Sequence, residues 1–585
     1  AEKLAQWKSQ LGFKPEIIAQ NAWNSGQVKN AIHNKYDNYT PKPDYFVIIG
    51  DHQDVPGEIL SGNNNSLFAS DHYYSCMNGQ GDYTSDIARG RISAGSLSEA
   101  TMIVDKVINY EQTPVTDSSF YNTGTNCAYF QHAGSGYAER RFAQTSEELR
   151  NYAIQQGKTV NRVYHAHSNV NPTYWNNTYY SNGEPLPSSL TKPNFAWDGN
   201  KNDIINYVNN GTFYVFHRDH GYEDGWGDPS FHKSDINSFS NGNKQPLFFS
   251  INCLTGKFLE NECFSEKLLR KSNGGAIGVF GHAEVSYSGY NDALSLGLFD
   301  GLWSNPGLTP DFTGSGGTSN PSIPPHSNIR RGGDLINFGL QYMTASWGNS
   351  QYTHELFHYF GDPAMEIYVN TPSPISANNT DSISCGSDST VIINNLNTNS
   401  VTATLVVDGQ LIGKDIITNT TDTLNFDNQP GVVAGSMAIL TLSKAGHQPY
   451  IDTISISGGC PKAKIEMGKS LFCLSDSISF TENSLGNISS YSWDFGSGAS
   501  LSTASTSGPY AISYSTSGNK TVSLTVTTPS GLSHTDSVSF SIDSICHYKI
   551  PTNGNTSITR CEGKLFDDGG KSATYSNNSD GSVTI

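Results

Sequence analysis

Two apolar runs of single-strand length, Phe213-Tyr-Val-Phe216 and Pro246-Leu-Phe-Phe249, constrain this chain more than any other feature. Neither alternates with polar residues, so each reads as a strand covered on both faces, as in a parallel sheet flanked by helices. Each run then passes into residues that can do chemistry: His217-Arg-Asp-His220-Gly221 after the first, Ser250-Ile-Asn-Cys253 after the second. Strands of a parallel sheet deliver their carboxyl ends to one rim, where α/β proteins place their sites. A thiol and an imidazole on that rim make a nucleophile and its base. Cys253 and His220 are therefore the candidate catalytic pair. The backbone N–H groups of Gly221 and Cys253 are the candidate oxyanion hole, because a glycine lets the chain approach closely.

The rest of the chain places these runs in a larger plan. Residues 3–13 pattern as a helix with Leu4, Trp7 and Leu11 on one face, followed by a strand at Glu16–Ala19 and a helix over Gln27–Tyr36. A buried strand, Tyr45–Ile49, ends at Gly50-Asp51, and another helix covers Ser96–Glu111. Such alternation predicts a parallel sheet in an α/β domain of two subdomains, residues 1–118 and 119–370. Beyond about residue 370, Ser, Thr, Asn, Gly and β-branched residues dominate, and short alternating strands predict all-β sandwich modules over 371–458 and 459–546. Residues 547–585 begin a further module.

Net charge is −18, with Asp and Glu spread along the chain, which argues against a nucleic-acid partner. No run of 18 apolar residues predicts a membrane-spanning helix. Ala1-Glu-Lys-Leu opens directly on an amphipathic pattern with no signal peptide, as a mature, processed or fragmentary chain would. Of the nine cysteines, Cys385 and Cys460 bracket one β module and Cys473 and Cys546 the next, as disulfides of an extracellular protein would; scattered buried thiols are the alternative. Cys561 is left over.

The first 370 residues resemble the gingipain-type cysteine peptidases, relatives of caspases and legumains. The likeness is carried by Leu4-Ala-Gln-Trp-Lys-Ser-Gln-Leu-Gly, Phe46-Val-Ile-Ile-Gly-Asp-His-Gln-Asp-Val-Pro, Ile92-Ser-Ala-Gly-Ser, His220-Gly-Tyr-Glu-Asp-Gly-Trp-Gly-Asp-Pro and Phe360-Gly-Asp-Pro, in family order. It implies a caspase-like fold, protein or peptide substrates, no organic cofactor, and His220, Cys253 and Gly221 as catalytic machinery. It also implies an acid that orients the histidine, five residues after the position matching Cys127. That position holds His132, so His132 and the alternative Glu223 are the weaker candidates for this role. Basic P1 specificity needs a buried carboxylate. By the resemblance, the arginine-specific relatives place it before a helix matching Ala138-Glu-Arg-Arg-Phe142, where only Glu139 is acidic. The lysine-specific ones place it in the loop Gly281–Asp292, which nominates Asn291 and Asp292 beside Trp226 as substrate-binding residues.

Two metal readings compete for attention. Gln80-Gly-Asp82-Tyr-Thr84-Ser-Asp86 sets oxygen donors at every second position, suited to one hard cation. By the resemblance Asp51 joins Gln80, Asp82, Thr84 and Asp86 around a structural calcium. His354-Glu355-Leu-Phe-His358 matches the zinc-peptidase pattern, although Ala364 stands at the third-ligand position and Pro363 opposes a continuing helix. Downstream, the modules resemble an immunoglobulin-like domain, a PKD domain (Ser492-Trp-Asp-Phe-Gly) and the start of a CUB domain (Cys561-Glu-Gly-Lys-Leu-Phe). The reading that results is a secreted or cell-surface bacterial cysteine endopeptidase, of the kind exported by type IX secretion, with cell-surface or matrix contacts through its β modules. Its rivals are a sortase-like transpeptidase, an adhesin or scaffold with a decayed peptidase domain, and a zinc peptidase.

Overall fold

The computed structural model describes residues 1–79, 81–132, 136–176, 183–259, 262–309, 312, 317, 322–323, 325–384, 388, 390–426, 436–457, 460–467, 471–474 and 476–543, with short strands beyond. The chain forms two compact units: residues 1–7, 15–375 and 443–449, and residues 8–14, 376–442 and 450–585.

The first unit is built on one mixed eight-stranded sheet. In chain order its labelled elements are α1 (Glu2–Gln10), α2 (Ser25–Asn38), β1 (Tyr45–Ile49), β2 (Ala88–Ile92), α3 (Leu97–Gln112), β3 (Thr123–Tyr129), α4 (Phe142–Gln155), β4 (Thr159–His165), α5 (Lys201–Asn210), β5 (Tyr214–Arg218), β6 (Leu247–Ile251), α6 (Phe264–Arg270), β7 (Gly278–His282), α7 (Ser288–Leu302), α8 (Gly332–Ser346), α9 (Gln351–Leu356) and β8 (Phe357–Phe360). The strand order is β1-β2-β8-β7-β6-β5-β3-β4. Every residue of β5, β6 and β7 is buried, the polar ends His217-Arg218 of β5 and His282 of β7 included. Helix starts follow local chemistry: Asn24 makes a capping box with Gln27, and Ser96 accepts from Glu99 N at the start of α3.

Strand direction corrects one expectation. All neighbours are parallel except β7 and β8, so β1, β2 and β8 run opposite to the other five strands. Asp51, just past β1, therefore leaves the sheet at the rim opposite the ends of β5 and β6. The predicted strand at Glu16–Ala19 is also absent: the segment is irregular, with Ile17 and Ile18 nearly half exposed. Without a pairing partner its apolar residues have no face to bury.

The join between the parallel strands β2 and β8 is thin, one register pair of Arg91 with Phe360. Beneath it Arg91 makes a two-pronged ion pair with Asp71, Nε to Oδ2 and Nη2 to Oδ1 both at 2.7 Å, and also donates to the carbonyls of Gly50 and Val55. Burial pushes the Asp71 carboxyl up, but Arg91 outweighs it and holds it below its ordinary value.

The second unit contains two sandwiches. One joins a five-stranded sheet including Val401–Val407 and Tyr450–Ser457 to three strands including Thr390–Asn394. Cys460 is disulfide-bonded, while its predicted partner Cys385 lies outside the described residues. Cys546 and Cys561 lie outside them as well. The other sandwich buries Trp493 against Phe495, stacked at 5.5 Å, in a core with Phe480, Leu524 and Phe540. Trp493 is thus a core residue. For residues 547–585 only short strand pairings such as His547–Lys549 with Lys564–Phe566 are described, and they do not identify the expected CUB-like start.

Removing one partner of the Arg91–Asp71 pair leaves a buried charge alone, which costs about 3–5 kcal/mol. Arg91→Met should lower the melting temperature of the full chain by several degrees, and adding Asp71→Leu should recover much of the loss. A single variant that melts with wild type would show that the pair does not secure the join.

Candidate active site

The register of β5 against β6 decides what meets at the rim. His217 pairs with Ser250 and Arg218 with Ile251, so both strands end level and Asp219-His220 and Asn252-Cys253 emerge side by side. His220, Cys253 and Asn291 line one cleft of about 370 Å³, together with Arg140, Phe142 and Trp347 among others. Among the described residues the thiol and the imidazole make no direct hydrogen bond, so a reacting group has room between them.

The base is held from the far side. His220 Nε2 bonds Gln131 Oε1 at 2.9 Å, and the ring meets Phe142 edge-on at 5.4 Å. Gln131 Nε2 in turn donates to Glu139 Oε2 at 2.5 Å. An amide oxygen accepts, so the hydrogen bond places the imidazole proton on Nε2 and leaves Nδ1 for proton exchange. The cleft walls partly desolvate the ring, and the guanidinium groups of Arg218 and Arg140 add to this, holding its pKa below the ordinary histidine value. The predicted orienting residues are displaced by this finding. His132 pairs through its backbone with Ala138, one residue away from the group that reaches Nε2. Glu223, exposed, accepts from Lys257 at 3.3 Å instead. Sequence reasoning passed over Gln131 because a glutamine does not titrate; its position beside His132 was the available signal.

The nucleophile sits in a tightly built turn. Ser286 N–H donates to Cys253 Sγ at 3.3 Å, and Asn291 Nδ2 fixes the Ser286 hydroxyl at 2.6 Å. The next residue, Leu254, has a φ of 63°, a left-handed conformation that a leucine adopts only where its surroundings enforce it. Gly221 is required sterically: a Cβ there would lie 2.4 Å from Asn252 Oδ1 and 2.6 Å from Cys253 O. Below the rim, Asn252 Nδ2 bonds His217 Nδ1 at 2.7 Å, and His217 stacks flat on Trp226 with ring centroids 4.2 Å apart. Trp226 is fully buried and donates to Ser250 Oγ at 2.8 Å, so it supports the site from within and cannot contact substrate as predicted. Burial drives His217 to a pKa of about 3, which keeps it neutral in that stack.

Asp292 also departs from its predicted role. Its side chain is fully buried, and Oδ1 accepts from Arg218 Nε at 2.8 Å and Thr145 Oγ1 at 3.1 Å. The carboxylate is already neutralised from within, so it is not available to a basic P1 side chain. Asn291, next to it, does line the cleft.

Neither metal reading survives the geometry. Among the described residues no group of three or more His, Cys, Asp or Glu side chains is gathered to hold a metal. For calcium, Asp51 instead binds Arg270 Nη2 at 2.8 Å. Asp82 accepts the N–H groups of Asn78 and Thr84, and Asp86 that of Met77; Gln80 lies outside the described residues. These residues do not fit the ion. For zinc, α9 stops at Leu356, which leaves His354 on a helix and His358 on β8. His354 Nε2 bonds Thr344 Oγ1 at 3.0 Å, His358 packs edge-on against Phe258, and Glu355 accepts from Gln351. The two imidazoles never share a helical face.

Comparison with known proteins agrees with this architecture. The profile of peptidase family C25 matches residues 1–368, and a PKD domain profile matches residues 461–542. The chain is 23% identical over 461 residues to gingipain R1 of Porphyromonas gingivalis, covering 77% of this chain and 41% of that protein. It is 25% identical over 317 residues to Lys-gingipain HG66 of the same organism, covering 53% of this chain and 16% of the relative. The chain therefore spans less than half the length of these relatives. The crystal structure of the Arg-specific cysteine proteinase gingipain R superposes with a TM-score of 0.62 at 19% identity, over 78% of this chain and 94% of that one.

One buried acid beside the site gives a pH signature. Asp219 Oδ2 accepts from Asp228 N at 2.7 Å, and burial lifts the carboxyl to a pKa of about 7. A folded-state value above the ordinary one means that the folded protein holds this proton more tightly. The contribution is greatest below about pH 4 and is lost as pH rises toward 7. Asp219→Asn should therefore stabilise the protein at pH 8 by about 1–3 kcal/mol, with no gain at pH 4. Equal melting shifts at both values would contradict the assignment.

Proposed function

The chain belongs to peptidase family C25, and from that membership we propose that it is a cysteine endopeptidase acting through Cys253 and His220. The observation that carries the reading is their convergence on one cleft, with His220 Nε2 already engaged by Gln131. Nδ1 takes the thiol proton, and the Cys253 thiolate attacks the scissile carbonyl. The backbone N–H groups of Gly221 and Cys253 stabilise the oxyanion. His220 then returns the proton to the departing amine, and water resolves the acyl-thioester.

Gln131 is the positioning residue in this scheme. It fixes the tautomer as a carboxylate would, without a carboxylate's field, and Glu139 polarises its amide from behind. A thiol tolerates that weaker support because thiolate is accessible near neutral pH. The disulfide at Cys460 supports an oxidising, extracellular location. We place the protein outside the cell on that ground, acting on protein or peptide substrates.

Cleavage of a peptide library by wild type and its loss in Cys253→Ala test the reading; cleavage that persists in the variant would overturn it. Ligation to an added amine would instead indicate the transpeptidase variant of the same chemistry. Gln131→Ala should lower kcat about 10- to 100-fold with little change in KM. Gln131→Glu should shift the pH profile upward, because a carboxylate favours the imidazolium. A role confined to packing would leave that profile in place.

A further inference from the structure

The sulfur of Cys253 has one polar neighbour. Among the described residues every hydrogen bond at Sγ involves Ser286. Its N–H donates at 3.3 Å, its hydroxyl donates at 3.7 Å, and its carbonyl accepts the thiol proton at 3.6 Å. His220, the base, holds to Gln131 instead. A donor favours the anionic form of the group it touches, and an acceptor the protonated form. Ser286 therefore serves both states of the sulfur. Its carbonyl takes the proton of the thiol, and once that proton has left, two donors remain facing the anion.

The direction of the hydroxyl is decided by another residue. Asn291 Nδ2 donates to Ser286 Oγ at 2.6 Å, so one lone pair of the oxygen is taken and its hydrogen is left to point at Sγ. Asn291 is only 2% exposed, and its N–H bonds the carbonyl of Tyr287 at 3.0 Å in the first turn of α7. That turn is fixed in place by Gly289, where a Cβ would meet the Trp347 ring at 1.9 Å. A serine hydroxyl ordinarily rotates to suit its surroundings. This one is braced.

We propose that Ser286 is a further catalytic residue, whose N–H and hydroxyl hold the Cys253 thiolate between proton transfer and attack, with Asn291 as the positioning residue behind the hydroxyl. The assignment rests on the peptidase reading above. In the step concerned the S–H bond of Cys253 breaks, its electron pair stays on sulfur, and the proton passes to His220 Nδ1. The donors release the sulfur when it bonds to the carbonyl carbon and the charge moves to the carbonyl oxygen. Both donor contacts are long, which keeps the anion reactive, since a thiolate stabilised too well is a poorer nucleophile.

Other titratable groups surround the sulfur. Arg140, Arg218, Asp219, His220, Tyr287 and Tyr290 line the same cleft. In the loop before α7 the carbonyl of Glu284 accepts from Leu254 N at 3.3 Å, and Tyr352 donates its hydroxyl to Val285 O at 2.8 Å. All of them remain in a variant that loses only the Ser286 hydroxyl, so their effects cancel when it is compared with wild type.

Thiol alkylation reads the anion without a substrate. Modification of Cys253 by iodoacetamide, followed in the mass of its peptide, should be about three- to tenfold slower at pH 7 in Ser286→Ala than in wild type. At pH 10, where a thiol ionises unaided, the two should react alike. Ser286→Thr keeps the hydroxyl and should restore the wild-type rate at pH 7, while Asn291→Ala should lose part of it. Equal rates for Ser286→Ala and wild type at pH 7 would overturn the proposal, as would a threonine variant as slow as the alanine one. A loss that persists at pH 10 would also overturn it, because the substitution would then have displaced the sulfur rather than removed a donor. Alkylation needs no peptide, so these outcomes stand even if wild type cleaves nothing. On a cleaved peptide at pH 7, Ser286→Ala should lower kcat by a similar factor with little change in KM. Cleavage that depends on Cys253 but not on the Ser286 hydroxyl would overturn the proposal and leave the peptidase intact.

Discussion

Everything at the reactive rim depends on the register between two fully buried parallel strands, His217 opposite Ser250 and Arg218 opposite Ile251. A slip of one residue would send every side chain of β5 to the other face of the sheet. It would also uncouple the two strand ends that carry His220 and Cys253. The stack of His217 on Trp226 and the bonds from Asn252 and Trp226 to this layer hold the register from below. The polar residues at the ends of the strands are therefore structural as much as chemical. They bind one another so that the rim residues above them are presented level.

The cleft is organised by charges that come in committed sets. Arg218 answers Asp292, Gln131 answers both His220 and Glu139, and Arg270 answers Asp51 and Glu266. Burial makes these commitments firm, because an ion released inside the sheet has nowhere else to find solvation. The chemistry open to substrate is whatever the internal pairs leave over.

What could be read from the sequence follows the physical range of each signal. Strand-length apolar runs ending in His220 and Cys253 are local patterns, so the meeting of those two residues at one rim was legible. The α/β alternation and the later change to β-rich composition were legible for the same reason. Pairings across distance were not. Arg218 and Asp292 lie far apart in sequence, and nothing beside either residue announces the other. The direction of β8 is likewise set by what it pairs with, and without that direction Asp51 appeared to end on the reactive rim. His354 and His358 misled because a four-residue spacing implies one face only if the helix continues, and α9 gives way to a strand between them. Gln131 escaped notice because histidine and carboxylates draw chemical attention and an amide does not.

The position of β8 has a consequence for how the molecule comes to exist. It is the last strand of the sheet in the chain yet sits third from one edge, bridging β2 to β7. During synthesis, β1 and β2 emerge first and must wait, paired only with each other, until Phe357–Phe360 leaves the ribosome. Strands β3 to β7 emerge as a nearly contiguous block and have no such delay. Long-range closure of this kind is slow and exposes unpaired strand edges in the interval. The half of the sheet that carries the reactive rim can thus organise before the half that completes it, and β8 is the keystone that ends the waiting.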